Sequence, residues 1–239
     1  MGRLVGAVQF LTILPIPGGI EPHRAAFFFP LVGAALGAAA GCVLWGALYV
    51  VPAPVAALLA LLFLMVATGG LHEDGLADVF DAFRAGRPPE RILAILKDSR
   101  IGSYGALAIV IASLLRWQAI VALGDRAFPA LAAAVGASRG GMVLLAYLSK
   151  PAGEGLGKAF VAGLSGASAI GAVVQAAALV FLCGPINGAV ALAASALTLL
   201  LARAYFQRRI GGVNGDCLGA TCQILEVLLL LIYLWRPSF

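Results

Sequence analysis

The segment GGLHEDGLADVFDAF (69–83) carries four of the chain's 11 acidic residues, Glu73, Asp74, Asp78 and Asp81. At about 100° per residue, a helix here places Asp74, Asp78 and Asp81 within about 60° of one another, as one i, i+4, i+7 stripe. Glu73 is rotated about 100° from the stripe, and His72 lies roughly opposite it. Like charges at this spacing weaken an isolated helix, so the stripe predicts a positive partner rather than local stability. Oxygen donors without a thiolate or a second histidine point to Mg²⁺ or Mn²⁺. A metal held by Asp74, Asp78 and Asp81 completes its shell with substrate phosphates, which points to phosphoryl or pyrophosphate chemistry. A solvated helix face and a cation or proton pathway are the competing readings.

Two further loops carry matching chemistry. ILKDSRIGSYG (95–105) offers Lys97 and Arg100 to a phosphate, Asp98 as another ligand, and Gly102 and Gly105 for close backbone approach. Its alternative is a basic anchor at the start of a membrane span. RRIGGVNGDCLGATCQILE (208–226) sets Asn214 and Asp216 among glycines, followed by Gln223 and Glu226. Asp216, Gln223 and Glu226 reach a shared site if this loop leads into a helix; the alternative is a turn with a helix cap. GEGLGKAF (153–160) is a glycine-rich loop with Lys158. Within apolar segments, Arg139 needs a partner or a function, because an arginine in a membrane helix is costly. Arg116 is expected to snorkel to a surface, and His72 to be a hydrogen-bonded residue at a helix entry.

The elements that must position these groups are hydrophobic. The chain is 62% hydrophobic and 11% charged, with a mean hydropathy of +1.02. Soluble domains carry about 25% charge, so the class is a polytopic membrane protein. Apolar runs over 27–51, 54–70, 104–124, 127–148, 166–184, 186–202 and 221–235 predict an all-α helical bundle of about seven spans. VPAP (51–54), GDRAF (124–128) and GPIN (184–187) are tight turns. The longer polar loops, 18–26, 71–103, 149–165 and 203–220, therefore return to one face. Of 16 Lys and Arg, 12 fall on that face or in the N-terminal segment, which makes it cytoplasmic by the positive-inside rule. One integral domain covers 1–239. The net charge of +5 is spread over short loops and is no nucleic-acid footprint. MGRLVGAVQFLTILPIP lacks a cleavage site and reads as an interfacial helix ended by Pro15 and Pro17. Cys42, Cys183, Cys217 and Cys222 lack metal-site spacing and read as small hydrophobes.

TGGLHEDGLADVFDAF, KDSRIGSYG, SRG, EGLGKAF and GGVNGDCLGA together resemble, in order and spacing, the membrane cobalamin synthase family, the adenosylcobinamide-GDP ribazoletransferases. The similarity runs from FLTILPIP to the final span. It implies an Mg²⁺-dependent transferase of the bacterial cytoplasmic (inner) membrane. Such an enzyme joins adenosylcobinamide-GDP to α-ribazole or its 5'-phosphate, releasing GMP and giving adenosylcobalamin or its phosphate. The lipid bilayer, a second copy of the chain and other corrinoid-pathway enzymes are the implied partners. On this reading Asp78, Asp81, Lys97 and Arg100 are catalytic. His72, Asp98, Ser99, Arg139, Asn214, Asp216 and Gln223 bind substrate, and Asp74, Asp78 and Asp81 bind the metal. Glu73, Ala82, Asn214 and Gln223 stand where Leu, Gly, Thr and Glu are familiar in the family. The same logic serves the CDP-alcohol phosphotransferases, but DGLAD lacks their Ala-Arg and their later aspartate spacing is absent, so they are a mechanistic analogy. A cation-coupled transporter places its ionisable groups near the membrane midplane, whereas these are expected at the cytoplasmic mouth.

Overall fold

Small residues decide the tightest helix contact of the bundle. Gly33, Gly37 and Gly41 recur every fourth residue along α3 (Phe29–Ala47), so they form one ridge with no side chain. That ridge lies on α8 (Ala127–Leu148). A Cβ on Gly33 would stand 2.7 Å from the Val135 carbonyl oxygen, and one on Gly37 would overlap the Leu131 carbonyl. Close approach of this kind drives association in lipid, where helices gain little from hydrophobic burial.

These contacts are seen in a computed structural model, which describes residues 2–18, 20–84, 86–98 and 100–236. The remaining helices are α1 (Gly2–Leu11), α2 (Pro22–Ala25), α4 (Ala53–Thr68), α5 (Leu71–Ala82), α6 (Pro89–Ile95) and α7 (Ser103–Leu123). They continue with α9 (Leu156–Gly163), α10 (Gly166–Leu179), α11 (Pro185–Ile210) and α12 (Gly215–Leu234). Among the described residues the one β-bridge is isolated, between Pro151 and Val213. In α8, 17 of 22 residues are buried, which makes it the central helix; α3, α10 and α12 pack around it. The core divides along the bundle. One cluster joins Leu11, Phe29, Phe160 and Leu225 near the loop end, and the other joins Leu44, Leu64, Leu123 and Tyr233 near the tight turns.

The outer faces carry large apolar side chains. Leu107 and Val110 of α7, Ile170 and Val174 of α10, and Leu197, Leu200 and Leu201 of α11 are all exposed. Such a belt suits hydrocarbon, and helices satisfy their backbone there internally. The chain is a polytopic helical membrane bundle. About seven spans were expected; five helical stretches are long and apolar enough to cross a membrane, or six if the bent pair α4 and α5 counts as one. One of the five, Ser103–Leu148, has 46 residues, about twice the roughly 20 that a bilayer needs. It contains both α7 and α8, divided by the turn Gly124–Arg126. The expected polar loops at 71–103 and 149–165 are largely helical, holding α5, α6 and α9. In the N-terminal segment α1 ends at Leu11, short of Pro15, where the Thr12 hydroxyl bonds back to the Val8 carbonyl at 2.7 Å.

The α3–α8 contact gives a stability prediction. Gly37→Leu should destabilise the bundle by about 1–3 kcal/mol or more, seen as a lower unfolding temperature in detergent. Gly46→Leu, on the same helix with nothing within 4 Å of its Cβ position, should leave it unchanged. Equal behaviour of the two variants would remove the small-residue account.

Candidate active site at the loop end of the bundle

The acidic helix is set in place by a glycine corner. Gly69 and Gly70 adopt φ of 63° and 68°, and their amides donate to Val66 and Met65 of the last turn of α4. Glycine enters this left-handed region without the penalty other residues meet. The chain leaves α4 at 88°, so α5 lies across the end of the bundle rather than along it. There it crosses α12 with almost no gap: a Cβ on Gly75 would meet the Asp216 carbonyl at 2.9 Å and the Gly219 Cα at 3.2 Å.

The crossing brings Asp74 and Asp78 of α5 against Asp216 of α12. Burial, and then Asp74, Asp216 and Asp81 in that order, push the Asp78 carboxyl up to about 7. No ion pair or hydrogen bond from the described residues reaches Asp74 or Asp78. Asp216 accepts from Asn214 Nδ2 at 2.8 Å, while Asn214 Oδ1 accepts the Cys217 amide at 3.0 Å and caps α12. Beside the cluster a cavity of about 290 Å³ is bordered by His72, Asp74, Phe160, Asn214 and Asp216.

Asp81 shares the stripe but not its environment. The amides of Gly102 and Gly105 donate to its two carboxylate oxygens at 2.7 and 3.0 Å, so it caps the N-terminus of α7 from another helix. A Cβ on either glycine would overlap that carboxylate. The close approach expected at Gly102 and Gly105 is therefore made to Asp81. Glu73, off the stripe, turns into the bundle, where it accepts from Arg116 at 2.9 Å. Arg116 also pairs with Glu226 at 2.6 Å, Glu226 pairs with Arg139, and Gln223 Oε1 accepts from Arg116 at 3.2 Å. Arg116, Arg139 and Glu226 are 5%, 3% and 0% exposed, so Arg116 is a buried partner and not the snorkelling residue expected. Arg139, expected to meet substrate, donates to Glu226, to Ser138 Oγ at 3.0 Å and to the Val135 carbonyl at 3.1 Å. His72 is buried, and among the described residues neither ring nitrogen has a partner, contrary to the hydrogen-bonded histidine expected. Burial, with Arg139 close by, lowers its pKa to about 3, and the ring is neutral.

The basic loop lies at the surface, and Glu154, the partner of Lys97, borders the same cavity as Asp74 and Asp216. Lys97 pairs with Glu154 at 2.9 Å and Arg100 with Asp98 at 2.7 Å; the Arg100 guanidinium holds the Asp98 carboxyl down at about 2. Ser99 lies outside the described residues. The glycine-rich loops meet each other: Val213 donates to Lys150 and accepts from Ala152, both at 2.9 Å. All four cysteines are free. Sequence reasoning missed the Arg116–Glu226 pair. Its signal was available, since two arginines in apolar runs need an acid and Glu226 is the acid of the last span.

Among the described residues, no group of three or more His, Cys, Asp or Glu is arranged to hold a metal ion. Mg²⁺ needs fewer, because it takes one or two carboxylates and fills its shell with water and phosphate oxygens. Asp78, with Asp74 or Asp216 beside it and no donor of its own, has the hard oxygen chemistry that fits. Asp81, the third ligand expected, is turned to the α7 amides.

This division of the acids is testable without substrate. Glu226→Gln, which leaves two buried arginines short of an acid, should cost about 3–5 kcal/mol of stability. Asp78→Asn removes repulsion and should leave the unfolding temperature unchanged or higher. If Asp78→Asn is as damaging as Glu226→Gln, the separation into structural and free carboxylates fails.

Comparison with known proteins places the chain. The family model described as Cobalamin-5-phosphate synthase matches residues 3–234. The chain is 39% identical to the adenosylcobinamide-GDP ribazoletransferase of Ralstonia nicotianae, over 97% of this chain and 95% of the relative. It is 38% identical to the protein of that name from Geotalea daltonii, over 94% of each chain. Against the one from Escherichia coli K12 it is 36% identical, over 98% of this chain and 100% of the relative. No solved structure matches it significantly. With a family model and full-length relatives covering one acidic helix, one glycine corner and one capped final span, the chain belongs to the cobalamin-5-phosphate synthase family.

Proposed function

We propose that the protein is an Mg²⁺-dependent adenosylcobinamide-GDP ribazoletransferase, a single integral unit of the bacterial cytoplasmic membrane with its loop end facing the cytoplasm. It joins adenosylcobinamide-GDP to α-ribazole or its 5'-phosphate and releases GMP. The observation that carries this reading is the cluster of Asp74, Asp78 and Asp216 at the α5–α12 crossing, with no cation paired to it among the described residues, in a chain of this family. The basic residues gathered at that end support the orientation.

The chemistry asks the protein for three things. A hydroxyl oxygen of the acceptor forms a bond to the phosphorus on the cobinamide side of the pyrophosphate. The bridging P–O bond breaks, GMP carries away that electron pair, and the hydroxyl proton goes to a carboxylate. Asp78 with Asp216 or Asp74 would hold Mg²⁺, which would supply Lewis-acid neutralisation of the pyrophosphate. The carboxylate of the three that the ion leaves free accepts the proton. Lys97 and Arg100 exchange Glu154 and Asp98 for the leaving phosphate; exposed pairs of this kind contribute little stability, so the exchange is easy. Asn214 orients Asp216, and His72 borders the cavity beside Asp74. Arg139, Gln223 and Asp81 act at one remove, by fixing α12, α7 and α5.

Purified protein with Mg²⁺, adenosylcobinamide-GDP and α-ribazole should release GMP and form adenosylcobalamin. A folded preparation that releases none would overturn the reading. Asp78→Asn should lower turnover at least about 100-fold, the upper end of what even residues supporting a metal ligand cost, with membrane insertion intact. Chelation of Mg²⁺ should abolish turnover of the wild type and restore it on readdition.

A further inference from the structure

On the outside of the bundle, away from the Asp74–Asp216 cavity, a groove of about 720 Å³ runs between α5, α7, α11 and α12. Val79, Phe80 and Phe83 form one wall and Leu201, Ala202 and Ile224 line the rest. The hydroxyls along it are already engaged. Thr198 donates to the Ala194 carbonyl and Thr221 to the Cys217 carbonyl, both at 2.8 Å, and Tyr205 donates to the Phe83 carbonyl at 3.0 Å. The length of the groove therefore suits hydrocarbon. An amide-rich ligand would find few partners there and lose hydrogen bonds on entering.

The mouth has the opposite character. Arg84 lies 4.6 Å over the Tyr104 ring and Arg209 5.7 Å over the Tyr205 ring. Arg209 also donates to the carbonyls of Arg84 and Arg87, at 2.9 and 3.3 Å. Among the described residues neither guanidinium has a carboxylate partner. Arg209 lies in the last turn of α11, one of the stretches long and apolar enough to cross a membrane, so the two charges sit where apolar helix gives way to loop. Aromatic rings at that level are characteristic of the membrane interface. An apolar slot inside the membrane with two uncompensated cations at its rim is complementary to one class of molecule.

We propose that this groove binds one anionic phospholipid, its acyl chain along Phe80, Leu201 and Ile224 and its phosphate against Arg84 and Arg209. The walls are open to the outside of the bundle, where Leu201 is 62% and Phe80 44% exposed. A second copy of the chain would leave both arginines buried and uncompensated unless it brought an acid to the same rim, which makes it the poorer occupant. The lipid would buttress the outer face of α5, whose other side carries Asp78. The proposal rests on the membrane architecture and stands whether or not the transferase reading does.

The test uses the full chain purified in a mild detergent. Phosphatidylglycerol, or phosphatidylcholine with the same acyl chains, is titrated in mixed micelles, and retained lipid is read by native mass spectrometry. Wild type should retain one phosphatidylglycerol per chain in preference to phosphatidylcholine. Arg84→Gln should lower phosphatidylglycerol affinity about fivefold and leave phosphatidylcholine unaffected. Leu201→Trp, and independently Ile224→Trp, should fill the groove and lose both lipids; lipid-free unfolding temperatures show that each variant is folded. Equal retention of the two lipids by wild type, or unchanged phosphatidylglycerol retention in folded Leu201→Trp, would overturn the proposal. So would displacement of the lipid by adenosylcobinamide-GDP, which would make the groove a substrate site.

Discussion

Repulsion among the four carboxylates of α5 is the constraint around which the loop end of the bundle is arranged. Each acid meets it differently. Glu73 turns inward to Arg116, and Asp81 is neutralised by two amides at the start of α7. Asp74 and Asp78 receive nothing, and the close crossing at Gly75 brings Asp216 up to them. The two satisfied acids pin the helix at both ends, so the unsatisfied pair cannot move apart to relieve its repulsion. A cation or a proton is what remains to relieve it, and the repulsion adds to burial, the larger cause, in raising the pKa of Asp78.

The buried chain Glu73–Arg116–Glu226–Arg139 does for the spans what Asp81 does for the surface helix. It links α5, α7, α12 and α8, with two acids against two bases and a neutral His72 alongside. Balanced charge is what allows these groups to remain within an apolar bundle at all, and removing any one member leaves an uncompensated ion. The α3–α8 contact is the complementary device, a seam of bare backbone that runs up to the Arg139 side chain at Gly33. Polar linkage and close backbone approach together hold α8 without a hydrophobic gradient to do so.

The helical class, the turns and the angular stripe were legible because each depends on local period and composition. The stripe was read correctly as geometry: Asp74, Asp78 and Asp81 do share a face, and Glu73 lies off it. Partners were not legible, because they come from other helices. Glu73 looked like a flanking charge and Arg116 like a snorkelling one, yet they are the two halves of one pair, 43 residues apart. Gly102 and Gly105 had the spacing of a phosphate-approaching loop, and no local rule distinguishes a phosphate from a carboxylate 21 residues earlier. Lys97 and Arg100 were visible as cations, but their resting partners Glu154 and Asp98 depend on how two surface segments lie side by side.

The Arg139–Glu226 pair also imposes an order in time. Its two members are 87 residues apart, and Glu226 lies on α12, which is made after the helices that carry Glu73, Arg116 and Arg139. Until that helix enters the membrane, α8 must hold its guanidinium with Glu73 as the one acid of the Glu73–Arg116–Glu226–Arg139 network in place, shared with Arg116. Without α12 the other helices would hold two buried guanidinium groups against one acid, an arrangement unfavourable in lipid. Glu226 on α12 supplies the missing acid to both. A nascent chain that stalls before its final helix therefore carries its own mark of incompleteness, an arginine waiting for an acid not yet made.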